Sequence, residues 1–302
     1  MVSFRPYRDG DAAGVAALLE DSAPPIYRWK QHALHGPGRD DPSRWRTRVA
    51  VGADGEIRGA VTAAHHSVHR GQYVLAVTVA PAHRRHGLGR ELVAEGLRMR
   101  TESLPMTMQF LESDKAGAAL VRSAGGVIIQ TTPGFRVDPV AMRDWVDAQP
   151  VPPGVVLDDL IGFPRTEQVA AHRDRYLCQH EDWCPPPISV PGVTAHAEAT
   201  VAVTRRELSS AARVGHRLAA LAIVIDEPGG GLMVISETVR RAEPNGVALV
   251  AAVLADAVRR LAAAGVRHVQ LDGHVTDPHL HPVTRTFPPG LPTDPLHVAR
   301  LT

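Results

Sequence analysis

The segment Val79-Ala80-Pro81-Ala82-His83-Arg84-Arg85-His86-Gly87-Leu88-Gly89-Arg90-Glu91-Leu92-Val93 has the residue types of an anion cradle. A buried strand ends at Val79, the chain turns, and a helix begins near Leu88. A helix N-terminus carries backbone N–H groups without intrahelical partners and a partial positive charge. Glycines at 87 and 89 remove the side chains that would hold a phosphate off those groups, and Arg84 and Arg85 add charge at the mouth. A Walker loop would end in Gly-Lys-Ser/Thr, which is absent. A dinucleotide fingerprint would need glycine at 92, where the chain has Leu.

Proton-transfer chemistry has several candidates. His65, His66 and His69 lie in the turn before the next strand, and imidazole titrates close to neutrality. His66 and Glu112, at the end of a later strand, are candidate bases, with Tyr73 nearby. In the second half, Glu237 is a candidate acid/base group on a strand leading into Glu243-Pro244-Asn245-Gly246-Val247-Ala248. Cys178, His180, Cys184 and His172 have zinc-ligand chemistry at a spacing that matches no common finger, so no metal is expected. His274, His279 and His281 sit in a loop rich in Pro and Asp.

The elements that position these groups alternate between strand and helix. Val2 to Pro6 predicts a strand, Asp11 to Leu19 a helix and Tyr27 to Leu34 a second helix. Arg46 to Val51 and Ile57 to Ala63 predict strands joined by a turn containing Asp54-Gly55, a hairpin signal. Tyr73 to Val79 is a further strand, followed by a helix from Leu88 to Arg100, a strand over Met106 to Leu111, a helix over Ala116 to Ser123 and a strand over Val127 to Gln130. Met142 to Asp147 reads as a small closing helix, and the prolines of Pro150-Val151-Pro152-Pro153-Gly154 mark a stiff linker. Beyond it come a strand over Val155 to Ile161, a helix over Glu167 to Leu177, paired strands at Leu218 to Ile225 and Leu232 to Val239, a helix over Ala248 to Ala264 and a strand over Val266 to Leu271. The repeated order of strands, turns and helix predicts an internal duplication.

The 302 residues suffice for two domains, and 44% apolar with 22% charged residues is the balance of a soluble globular chain. A formal net charge of +1 argues against general nucleic-acid or membrane-surface binding. Only Lys30 and Lys115 are lysines, and two cysteines make no disulfide framework. The N-terminal residues lack a signal-peptide apolar stretch, and a cytoplasmic protein is expected.

The arrangement Arg84-x-x-Gly87-x-Gly89, preceded by Val79-x-Pro81 and followed by an amphipathic helix, resembles the acyl-CoA pyrophosphate motif of the GNAT N-acetyltransferase superfamily. The resemblance runs from about residue 2 to 137 and includes Phe4-Arg5-Pro6-Tyr7-Arg8-Asp9-Gly10-Asp11 and Gly59-Ala60-Val61. It implies an α/β fold with mixed, mostly antiparallel sheets flanked by helices. It further implies that Leu75, Val77 and Val79 bind pantetheine while Arg84, Arg85, His86, Gly87, Leu88, Gly89 and Arg90 bind pyrophosphate. The expected organisation is a GNAT domain over 1–138, a helix and Pro-rich linker over 139–154, and a degenerate GNAT-like domain over 155–302. The family's usual acid, a Tyr on the later helix, falls on Val121, in a segment where Asp114, Leu120 and Gly125 fit its pattern and Gly126 replaces Phe. The strand position often held by the family's Glu reads Leu75 or Ala76.

The activity this implies is acyl-CoA-dependent N-acyl transfer, most simply from acetyl-CoA to the amine of a small molecule. The partner is then that amine, with no nucleic acid and no membrane, and a homodimer is compatible with the chain. The alternatives are a non-catalytic acyl-CoA-binding sensor, acyl transfer to a carrier-protein thiol, or thioester decarboxylation.

Overall fold

The computed structural model describes residues 2–19, 34–38, 44–66, 68–184, 191–227 and 230–301. The helix expected over Tyr27 to Leu34 falls, but for Leu34, outside them. The chain forms two compact units, Met1–Ile129 with His297–Thr302, and Gln130–Leu296. This division differs from the expected one: the first boundary falls earlier, residues 139–154 belong to the second unit, and the final residues return to the first.

In the first unit, β1 (Val2–Pro6), α1 (Ala12–Ala16), β2 (Trp45–Gly52), β3 (Ile57–His65), β4 (Tyr73–Val79), α2 (Leu88–Arg98), β5 (Met106–Leu111), α3 (Lys115–Ser123) and β6 (Val127–Thr132) follow in order. The unit boundary lies within β6. The turn from β1 to α1 is held by Asp11, which accepts two hydrogen bonds from the Arg5 guanidinium at 2.7 Å each and one from the Arg8 amide at 2.7 Å. Gly55 takes a left-handed conformation (φ 85°) in the β2–β3 hairpin, as the Asp-Gly pair requires.

The sheet is seven-stranded in the order β1-β2-β3-β4-β5-β13-β6, where β13 (Leu296–Leu301) is the last strand of the chain. Apolar periodicity fixes the two faces. Leu88, Leu92 and Val93 of α2 pack with Val61, Ala63 and Leu75 on one face. Val15 and Leu18 pack with Val49 and Ala60 on the other.

The second unit repeats this plan. It contains β7 (Phe135–Val137), α4 (Arg143–Asp147), β8 (Val155–Asp158), α5 (Arg165–His180), α6 (Pro191–Ala202), β9 (Ser210–Val214), β10 (Arg217–Asp226), β11 (Leu232–Thr238), α7 (Gly246–Ala263), β12 (Val269–Asp272) and α8 (Leu280–Thr284). Its six strands lie in the order β7-β12-β11-β10-β9-β8. The succession β8-β9-β10-β11-α7-β12-α8 mirrors β1-β2-β3-β4-α2-β5-α3, and the fourth and fifth strands pair parallel in both sheets. The duplication expected from element order is therefore present in the fold. The core of this unit is the buried face of α7, including Leu249, Val250, Val253, Leu254 and Leu261, against small residues such as Ala220, Ala222 and Val224 of β10. Among the described residues no helix is long and apolar enough to cross a membrane.

Candidate functional site

In the first unit, β4 and β5 are paired at Tyr73↔Met106, Val74↔Thr107 and Leu75↔Met108, and then part. The parting leaves Ala76 to Val79 without a β5 neighbour and opens a cavity of about 810 Å3. Leu75, Val77 and Val79 of β4, Phe110 of β5 and Leu120 of α3 line its apolar part. Arg84, Arg85, Gly87, Gly89, Arg90 and Lys115 line its cationic part, with Asp114 beside them.

Both faces of the sheet contribute. Val61 and Leu75 belong to the α2 side. Thr78 is in register with Ala60, which packs under α1, and Leu18 and Leu19 from beyond α1 also line the cavity.

Local conformation shapes the cationic part. Gly87 caps α2 with φ 90°, a left-handed conformation natural to glycine. Arg85 adopts φ 68°, which costs a non-glycine residue on the order of 1 kcal/mol. A turn of this type gathers successive N–H groups into a concave anion site at the start of the helix. The Arg84 Nε donates to the Val79 carbonyl at 3.0 Å and so fixes that side chain at the end of β4. Asp114 caps α3 by accepting from the Gly117 amide at 2.8 Å.

Eight of the ten expected cofactor-binding residues, namely Leu75, Val77, Val79, Arg84, Arg85, Gly87, Gly89 and Arg90, are thus brought to one cavity. The side chains of the other two go elsewhere: Leu88 is buried in the core beneath α2, and His86 is exposed.

The three expected proton-transfer residues are not brought there. His66 Nδ1 accepts from the amides of Val68 at 3.1 Å and His69 at 3.0 Å, which makes the imidazole a brace of its own turn. That turn lies at the opposite end of β4 from the opening. Glu112 is exposed between Leu111 and Ser113, and its carbonyl accepts from Lys115 Nζ at 2.9 Å. Tyr73 is buried, its hydroxyl 3.0 Å from Thr101 Oγ1 and its ring against His65. Val121, at the family's acid position, is core.

Glu237 lies in the second unit, where β11 and β12 part after Ile235↔Asp272. It is fully buried and joins the end of β11 to the start of α8. Its carboxylate accepts from the Thr238 amide at 2.7 Å, the Leu280 amide at 3.1 Å and the His279 amide at 3.2 Å, with His279 Nδ1 at 2.8 Å. Burial, the largest single influence, pushes this carboxyl up, yet the hydrogen bonds from His279 and the Thr238 and Leu280 amides hold it below the ordinary range. A catalytic role for Glu237 has no support in this geometry, since a group so enclosed has no path to a substrate.

The acidity shift has a consequence for stability. A carboxyl whose pKa is lowered by folding stabilises the chain above its unfolded pKa, and that contribution is lost as pH falls through the folded value. Glu237→Gln is expected to cost about 1–3 kcal/mol at neutral pH, because an amide nitrogen must face backbone N–H donors. Urea unfolding of both proteins at pH 7 and pH 4 checks this. The gap should narrow in acid, and an equal gap at both pH values would show that the buried charge contributes nothing.

The filling of this second opening continues outward. The His279 ring lies over the first residue of α7, where a Cβ on Gly246 would stand 2.3 Å from His279 Cδ2. Glu243, just before α7, is buried and bound by Arg217 at 2.6 and 2.7 Å. From α5, Gln179 Nε2 donates to Asp277 at 2.9 Å, and the buried Arg175 contacts Gln179 and His172. Asp277 also accepts from the His274 amide at 2.7 Å. Burial pushes the Cys178 thiol up to about 12, so it is protonated at neutral pH. The element order that makes a cationic cavity in the first unit makes a closed polar core here.

Residues 12–121 match the model of the acetyltransferase (GNAT) family. The first unit is a GNAT domain. Solved structures extend the likeness to the whole chain, each over 99% of it. A GCN5-related N-acetyltransferase from Sphaerobacter thermophilus is similar at 18% identity over 95% of that chain, with a TM-score of 0.61. A tandem GNAT protein from the clavulanic acid biosynthesis pathway is similar at 18% identity over 98% of that chain, with a TM-score of 0.63. A glucosamine N-acetyltransferase region of a fungal multi-domain GH3 β-N-acetylglucosaminidase is similar at 15% identity over 38% of that chain, with a TM-score of 0.67. At these identities the likeness is one of fold, and it gives this chain a duplicated GNAT fold. No curated protein matches the chain.

Proposed function

We propose that this protein is an acyl-CoA-dependent N-acyltransferase that moves the acetyl group of acetyl-CoA to the amine of a small molecule, with the co-substrate held by the first unit alone. The observation that carries the reading is the contrast between two equivalent openings. That of the first unit is an arginine-mouthed cavity, and that of the second is filled by Glu237, Asp277 and His279.

The residues of the first unit fit the chemistry of the co-substrate. The N–H groups at the start of α2, with Arg84, Arg85 and Arg90, suit a pyrophosphate by charge and by hydrogen-bond donation. The edge of β4 past Leu75 offers backbone groups to the amides of a pantetheine arm, much as a missing strand would. Leu75, Val77, Phe110 and Leu120 exclude water from the thioester. Holding amine and thioester in one cavity supplies much of the rate through proximity. A thiolate whose acid has a pKa of about 8.5 is a tolerable leaving group even without an acid at Val121.

That same valine, and the apolar Leu75 and Ala76, favour a second reading in which the chain binds acyl-CoA without turnover. Calorimetric titration with acetyl-CoA and CoA, followed by thiol release with a panel of amines, separates the two. One site per chain with turnover is the expected result. One site without turnover on any amine favours the sensor, and absence of binding overturns both readings.

A further inference from the structure

His35 is buried at 6% exposure under the α1 face of the first sheet. Its Nδ1 lies 2.9 Å from Thr62 Oγ1 and its Nε2 lies 3.0 Å from Thr78 Oγ1. Thr62 Oγ1 is in turn 2.9 Å from Thr47 Oγ1, which accepts from the Gly36 amide at 3.4 Å. The strand registers Thr47↔Thr62, Thr62↔Ala76 and Ala60↔Thr78 place all three threonines on one face, on β2, β3 and β4. Valine would fill such positions without hydroxyls to satisfy. Here two of the hydroxyls, those of Thr62 and Thr78, meet one imidazole, and Thr78 also lines the cavity.

We propose that Thr78 and His35 form the proton exit of the acceptor amine, with Thr78 as the catalytic hydroxyl and His35 as the positioning residue behind it. This rests on the N-acyltransferase reading above. The role requires the tautomer in which Thr78 donates to His35 Nε2, Nδ1–H donates to Thr62 and Thr62 donates to Thr47. A remaining lone pair of Thr78 Oγ1 then accepts from the amine in the cavity that Thr78 lines. As the amine nitrogen bonds to the thioester carbon, an N–H proton passes to Thr78 Oγ1 while the proton of Thr78 passes to His35 Nε2. The C–S bond breaks with its electron pair going to sulfur. The imidazolium returns its proton through Thr78, and the net transfer is from amine nitrogen to thiol.

Hydroxyl partners suit this role in both charge states. A hydroxyl rotates between donating to neutral imidazole and accepting from imidazolium. Imidazole is the side chain most often used as a general base in catalysis. The hydrogen-bond partners of the His35 ring on β3 and β4 are the hydroxyls of Thr62 and Thr78.

The test uses the whole chain and the amine turned over fastest by the wild type. His35→Gln, Thr78→Val and Thr78→Ser are compared for acetyl-CoA affinity by calorimetry and for kcat against pH. His35→Gln and Thr78→Val are expected to lower kcat about 100-fold, to leave acetyl-CoA affinity within about twofold, and to abolish the acidic limb of the kcat profile. Thr78→Ser is expected to rescue most of the loss seen with Thr78→Val, a pattern that a merely structural threonine would not give. Wild-type kcat and an unchanged profile in His35→Gln would overturn this proposal while leaving the acyltransferase reading intact. Absence of wild-type turnover on every amine, with acetyl-CoA still bound, would overturn both.

Discussion

Gly89→Glu is expected to weaken acetyl-CoA binding by about 100-fold or more while leaving the protein folded. Gly89 is the second residue of α2 and lines the cavity. A Cβ there would lie 3.3 Å from Leu120 Cδ1, close enough for the leucine to give by a few tenths of an ångström. Gly89→Ala therefore tests bulk alone and should cost little.

The carboxylate acts differently on the fold and on the ligand. A negative side chain in the first turn of a helix is favourable to the helix itself, so the thermal midpoint should hold or rise. The same charge competes with a pyrophosphate for the N–H groups and for Arg84, Arg85 and Arg90. Losing one charge-assisted hydrogen bond costs about 1.5–3 kcal/mol, and repulsion carries the loss beyond two decades of affinity. Calorimetry and thermal unfolding on the same preparation decide the matter. Affinity within a few-fold of wild type would move the anion site away from this helix.

Removal of the last strand should have the larger structural effect. β13 lies between β5 and β6, and its Val298, Ala299 and Leu301 are buried at 6%, 0% and 2% exposure. Leu301 packs in the same core as Phe110 and Val121. A chain ending before Leu296 would leave two inner strand edges unpaired and that core open. Burial of a large aliphatic side chain contributes about 1.5–3 kcal/mol, and ladder hydrogen bonds add roughly 1 kcal/mol each. The sum is comparable to the whole stability of an ordinary domain. The truncated chain is expected to lose acetyl-CoA binding and to be cleaved readily within the first unit under limited proteolysis. Ala299→Asp should reproduce the loss through a buried charge. A truncated protein that still binds acetyl-CoA would show that β5 and β6 do not need their intervening neighbour.

The cradle was legible in the sequence because every part of it is local. A near-continuous apolar run over 73–79, the proline and the paired glycines before an amphipathic helix lie within a few residues of one another. The long helix α7 announced itself through its Ala- and Leu-rich run, and the β2–β3 hairpin through Asp54-Gly55.

What escaped depends on residues far apart. The run Pro150–Gly154 has the composition of a linker, yet it joins α4 to β8 inside the second unit, because units are set by strand pairing rather than by composition. β13 is six residues following a Pro-rich loop, and its sequence does not say which sheet it joins. α6, with Thr, His and Glu among its alanines, carries almost no apolar stripe. His35 is followed by Gly-Pro-Gly and is paired with threonines from two strands, one of them linked to a third threonine on β2. Glu237 reads as a half-exposed strand carboxylate until the amides of His279 and Leu280, more than forty residues on, enclose it.

The place of β13 inside the first sheet also bears on how the protein is born. The half of the chain that leaves the ribosome first is the half that is finished last, since its sheet waits for residues 296–301. At ~5–20 residues per second, translation of the intervening residues keeps the nascent first unit incomplete for roughly ten seconds or more. During that interval the edge of β5 stands open, the kind of edge on which chains aggregate. Nascent chains stalled before residue 296 should then recruit chaperones through the first unit, and full-length release should end that association.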